Sequence, residues 1–138
     1  MKEAPFIHER ALVETDAIGE GTRIWAFAHV LKNVHIGSHC NIGDHAFIES
    51  GVSIGNNVTI KNGVCIWQHV HVADNVFLGP NAVLTNDLTP RSRDTDWTPV
   101  SPTVYFRPQR SQVAFNWGSG FSDRAQKHTQ PPCRAGFP

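Results

Sequence analysis

Isoleucine stands at every sixth position from Ile36 to Ile66. The column extends in both directions, through Ile18, Ile24, Val30, Ile36, Ile42, Ile48, Ile54, Ile60, Ile66, Val72, Leu78 and Leu84, twelve branched aliphatics without a break. A helix brings its side chains back to one face every 3.6 residues and a strand every two, so a strict six suits neither element alone. A second column lies four residues further on: Thr22, Ala28, Val34, Cys40, Ala46, Val52, Val58, Val64, Val70, Val76 and Ala82, all small or β-branched. Two columns in one register mark a solenoid, and a six-residue repeat marks a parallel β-helix.

Each hexad then supplies one short strand, whose branched residues suit a half-buried pleated surface, followed by a corner. Gly19, Gly37, Gly43, Gly55 and Gly79 follow column residues directly, and Gly21, Asn33, Gly51, Asn57, Gly63, Asn75 and Asn81 sit two positions beyond. Glycine and asparagine are the residues that tolerate the positive φ a sharp corner needs. A sandwich of short strands has no reason to keep so strict a register.

Twelve basic and twelve acidic residues cancel over 138 residues, so no net field draws the chain to nucleic acid or an anionic membrane. No apolar run reaches the roughly 18 residues of a membrane span, and "MKEAPFIHERALVE" has no signal-peptide core. Cys40, Cys65 and Cys133 are odd in number and lack metal-like spacing. Reduced thiols in a cytoplasmic protein are the expectation.

The strings "IHERALVE", "IGEGTRIWAFAHV", "IGSHCNIG", "GVSIGNNVTIKNGVCIW" and "VFLGPNAVLTNDLTPRS" together resemble the hexapeptide-repeat nucleotide-sugar 3-N-acetyltransferases. The similarity spans about residues 6–94 and is greatest to the UDP-2-acetamido-3-amino-2,3-dideoxyglucuronate N-acetyltransferases, with the dTDP-3-amino-3,6-dideoxyhexose enzymes near. The resemblance implies an all-β, left-handed parallel β-helix in residues 1–89, with three hexads to each triangular coil. It further implies acetyl-CoA as acyl donor, a nucleotide-linked 3-amino sugar as acceptor, a role in surface polysaccharide synthesis, and a homotrimer with sites between subunits.

With three hexads per coil, residues 18 apart lie one above another at sheet spacing, about 4.8 Å. One prism edge then collects His29, Glu49, Trp67, Gln68, His69, Asn86 and Asp87. Asn86 matches the asparagine of the family's "T-N" string, which the resemblance places beside the sugar's reacting amine; the alternative is a turn asparagine closing the last coil. His69 and Asp87 stack in one column, either as a base held by a carboxylate or as two solvated corner residues. His29, Arg23, Glu49 and Gln68 are substrate-binding candidates, and Arg91 is a candidate clamp for a carboxylate or phosphate. Trp25 and Trp67 read as packing residues between subunits. No metal is expected. The γ-class carbonic anhydrases share the fold and bind zinc through three histidines, but here His35 and His71 find no third at that spacing.

After Asp94 the hexads end, and residues 90–138 read as a loop and an irregular, weakly ordered tail. The tail is basic, with seven Lys/Arg against three Asp/Glu, where residues 1–89 hold five against nine. The break favours a changed reading frame near Pro99 over a divergent native tail. Relatives continue with coils that carry much of the CoA groove, so weak acetyl-CoA affinity is expected of this chain. The competing functions are a non-catalytic β-helix module for trimerisation or binding, and an O-acyltransferase of the same fold.

Overall fold

The computed structural model describes residues 1–84, 86 and 92, and the backbone of 105–106 and 113–114. Among the described residues every regular element is a two-residue strand, and every pairing between strands is parallel. The strands wind into three faces. The first stacks Phe6–Ile7, Arg23–Ile24, Asn41–Ile42, Thr59–Ile60, Phe77–Leu78 and Val113–Ala114. The second stacks Leu12–Val13, His29–Val30, Phe47–Ile48, Cys65–Ile66 and Val83–Leu84, and the third His35–Ile36, Ser53–Ile54, His71–Val72 and Tyr105–Phe106. Successive strands of the repeat fall on successive faces, so each three hexads make one turn of a β-helix.

In each strand of the repeat the first residue points outward and the second inward. Ile24, Ile42, Ile48, Ile60, Ile66 and Leu78 are fully enclosed, and the second column fills the space between them from the corners. Each enclosed Ile or Leu contributes about 1.5–3 kcal/mol of transfer free energy. Thr22 is the one buried polar residue of this interior among the described residues. Its hydroxyl donates to Gly37 O at 2.7 Å and accepts the Cys40 N–H at 3.0 Å. One coil above, the Cys40 thiol takes the same place and donates to Gly55 O at 3.1 Å. Burial pushes the Cys40 thiol up from its ordinary 9.0.

The corners follow one rule. The third residue after each inward aliphatic adopts a left-handed φ, at eight non-glycine positions and three glycines from Gly21 to Asn81. Four of these, Phe27, His39, His45 and His69, are neither glycine nor asparagine. Phe27 is half exposed; its ring stacks on His45 with centroids 5.0 Å apart, and the Arg10 guanidinium lies 6.0 Å from its centre. Gly37 answers a different need. A Cβ there would come within 2.6 Å of the Gly55 carbonyl carbon, so the two coils meet backbone to backbone.

The solenoid begins earlier than the unbroken column. Ile7 pairs with Ile24 and Val13 with Val30, each 17 residues on, whereas Ile24 pairs with Ile42, 18 on. One residue is missing from the corner between Val13 and Ile18, and the Thr15 hydroxyl fills the gap. It accepts the Ala17 N–H at 3.3 Å and donates to Val34 O at 2.9 Å, a side chain inserted into a backbone rung.

Beyond Leu84, the backbones of Tyr105–Phe106 and Val113–Ala114 continue the third and first faces, paired with His71–Val72 and Phe77–Leu78. Apart from these and an exposed Ser92, the segment expected as a loop and irregular tail lies outside the described residues. Among the described residues no helix is long and apolar enough to cross a membrane.

Candidate functional site

Two prism edges are tied coil to coil at each corner by backbone. The N–H of each left-handed residue reaches the coil below, as Asn57 N–H to Ser38 O at 2.9 Å and Gly63 N–H to Asp44 O at 2.9 Å. Side chains reinforce one of these edges: Oδ1 of Asn56 and Oδ1 of Asp74 accept the N–H groups of Ser38 and Asn56 at 2.8 and 2.7 Å. The edge between the second and third faces is built differently. Gly51 N–H goes to Asn33 O at 3.1 Å, and one coil up the backbone of Gln68 is held by side chains. Glu49 Oε2 accepts the Gln68 N–H at 2.7 Å, and Asn86 Nδ2 donates to Gln68 O at 3.1 Å.

The structure therefore brings Glu49, Gln68 and Asn86 into one hydrogen-bonded set on the edge where stacking places them. All three are partly exposed, so the set faces solvent rather than the core. The Asn86 amide donates through its nitrogen, and among the described residues no donor reaches its oxygen. Asn86 thus offers Oδ1 as an acceptor at the surface.

His29 lies beside this set, on the outer surface of the second face. Its Nε2 is 3.2 Å from Glu14 Oε1, and its ring meets Phe47 edge-on at 5.6 Å. Phe47 in turn stacks against Trp67 at 5.5 Å, so Trp67 packs on a neighbour in its own chain. With Leu12 and Val83, which are 55% and 36% exposed, they make an apolar stripe on this face. His69 occupies the left-handed corner next to Gln68, exposed, its Nδ1 4.0 Å from where a Cβ on Gly51 would stand. Asp87, its expected partner, and Arg91 lie outside the described residues.

Arg23 is elsewhere. It is exposed on the first face, in register with Phe6 and Asn41, and so is not gathered with Glu49, Gln68 and Asn86. Trp25 follows it at a different edge, packed on Phe6 at 5.6 Å and donating from Nε1 to Asn41 Oδ1 at 2.8 Å. His35 and His71 share the third face with Ser53 between them in register.

The sequence of this chain matches the family described as bacterial transferase hexapeptide (six repeats) over residues 17–50 and 51–86. A segment of 35 residues is 59% identical to a dTDP-3-amino-3,6-dideoxy-alpha-D-galactopyranose 3-N-acetyltransferase of Aneurinibacillus thermoaerophilus. That segment is 25% of this chain and 18% of the relative's length.

Proposed function

This chain belongs to the bacterial transferase hexapeptide family, and from that premise we propose that it N-acetylates a nucleotide-linked 3-amino sugar with acetyl-CoA as donor. The observation that carries the reading is the Asn86 amide, tied by its nitrogen to Gln68 O at 3.1 Å and so offering its oxygen outward. A sugar amine donates one N–H to that oxygen, which turns its lone pair toward the thioester carbonyl. The nitrogen attacks the carbonyl carbon, the carbon–sulfur bond breaks, and the amine's surplus proton leaves with the thiolate. No strong base is required, because a neutral amine already carries the attacking pair.

The acceptor named for the relative, a dTDP-linked 3-amino-3,6-dideoxyhexose, is the first substrate to try, with a UDP-linked 3-amino uronate second. The reading includes a homotrimer, for which the apolar stripe of Leu12, Phe47, Trp67 and Val83 offers surface that association would bury.

The test is acetyl transfer by the purified chain, followed as free CoA thiol. Asn86→Ala should lower kcat about 100-fold while the KM for the sugar changes only a few-fold, because the amide orients the amine in the transition state. Absence of acetyl transfer to either sugar, or an unchanged kcat in the variant, would remove the reading.

A further inference from the structure

Asn86 is only as well aimed as the carbonyl that holds it. That carbonyl belongs to the Gln68–His69 peptide, at a corner where His69 takes a φ of 65°. On the other two edges, and at Gly51 one coil below on this one, such corners are tied to the coil below by their own backbone N–H groups. At the Gln68 corner the tie is a side chain: Glu49 Oε2 takes the N–H of the Trp67–Gln68 peptide at 2.7 Å. Gln68 is gripped on both sides, by Glu49 at its N–H and by Asn86 at its C=O.

We propose that Glu49 is a positioning residue for acetyl transfer. It fixes the Gln68 corner, the corner's carbonyl holds Asn86 Nδ2, and Asn86 Oδ1 is left facing the acceptor amine. The inference rests on the reading of Asn86 given above. Glu49 acts through Gln68 and Asn86, and what it must supply is a hydrogen-bond acceptor rather than a negative charge. Glutamine keeps an acceptor oxygen at the same reach, and alanine does not.

The experiment compares the full chain with Glu49→Ala and Glu49→Gln in two assays. In the first, Glu49→Ala should lower kcat tenfold to about 100-fold with sugar KM within roughly threefold, the loss expected of a misplaced orienting group. Glu49→Gln should stay within roughly threefold of the parent in both. In the second, solvent exchange of the Asn86 side-chain NH2 protons is followed by NMR and needs no turnover. Exchange should quicken about tenfold in Glu49→Ala and hold in Glu49→Gln, the ratio expected for one hydrogen bond loosened. If Glu49→Ala leaves the Asn86 protons unchanged, the proposal is overturned whatever the activity. If Glu49→Gln falls as far as Glu49→Ala, the charge matters and the proposal is overturned as well. If exchange responds as described but the parent chain acetylates neither sugar, the relay stands as structure and the catalytic role falls with the acetyltransferase reading.

Discussion

His69→Asn should make the protein more stable. His69 holds a φ of 65° at a corner where Asn33, Asn57, Asn75 and Asn81 hold 55–60° at equivalent positions. A non-glycine residue in this region carries about 1–2 kcal/mol of steric cost, which asparagine's short polar side chain partly relieves. The imidazole is exposed, with its Nδ1 4.0 Å from where a Cβ on Gly51 would stand. Little packing is therefore lost on substitution, and the net gain is about 0.5–1 kcal/mol.

For a repeat of this size that gain raises Tm by roughly 2–8 °C, readable by calorimetry or circular dichroism. Lys32→Asn is the control: it lies one position before a corner, is exposed, and has no positive φ, so Tm should hold within the few degrees that surface changes produce. A fall in Tm for His69→Asn would refute the reasoning. It would mean that the imidazole makes an interaction worth more than the backbone relief, as a base held by a carboxylate would.

Two further substitutions test other parts of the frame. Gly37→Ala places a methyl group 2.6 Å from the Gly55 carbonyl carbon, and backbone cannot swing aside as a side chain can; we expect a loss of about 1–3 kcal/mol, seen as a lowered urea midpoint. Cys40 is held up from 9.0 by burial, so the folded state keeps its proton while the unfolded chain releases it as pH rises past that value. Stability should then fall above about pH 9 in the parent, and Cys40→Ser, which retains a donor for Gly55 O, should lessen that fall in melts from pH 7 to 10.

The interior is legible in the sequence because one physical requirement repeats: an aliphatic every six residues, each enclosed in the structure from Ile24 to Leu84. The first coil is harder to see, since a single missing residue before Ile18 breaks the period while Thr15 preserves the hydrogen bonding. Glycine and asparagine reveal most corners, but Phe27, His39 and His45 carry no such signature. Their left-handed φ comes from their phase in the repeat, which overrides their own preference. At the site, stacking by 18 places Glu49, Gln68 and Asn86 together. It does not reveal that the Gln68 backbone, not its side chain, joins the other two. Arg23 is singled out by a motif rather than a column, and its strand belongs to the first face.

The short first coil has a consequence for how such a molecule can change its length over evolutionary time. Deleting one residue within a strand exchanges inward and outward side chains until the next corner, putting aliphatics in water and polar groups in the core. At the corner after Val13 a residue is absent without that exchange, because a hydroxyl spans the gap between Ala17 N–H and Val34 O. Drift in length is thus confined to two forms: single residues at corners where a threonine or its like can bridge, and whole coils added or removed as units. A lineage of these proteins should differ in height by storeys, with its small irregularities gathered along the prism edges.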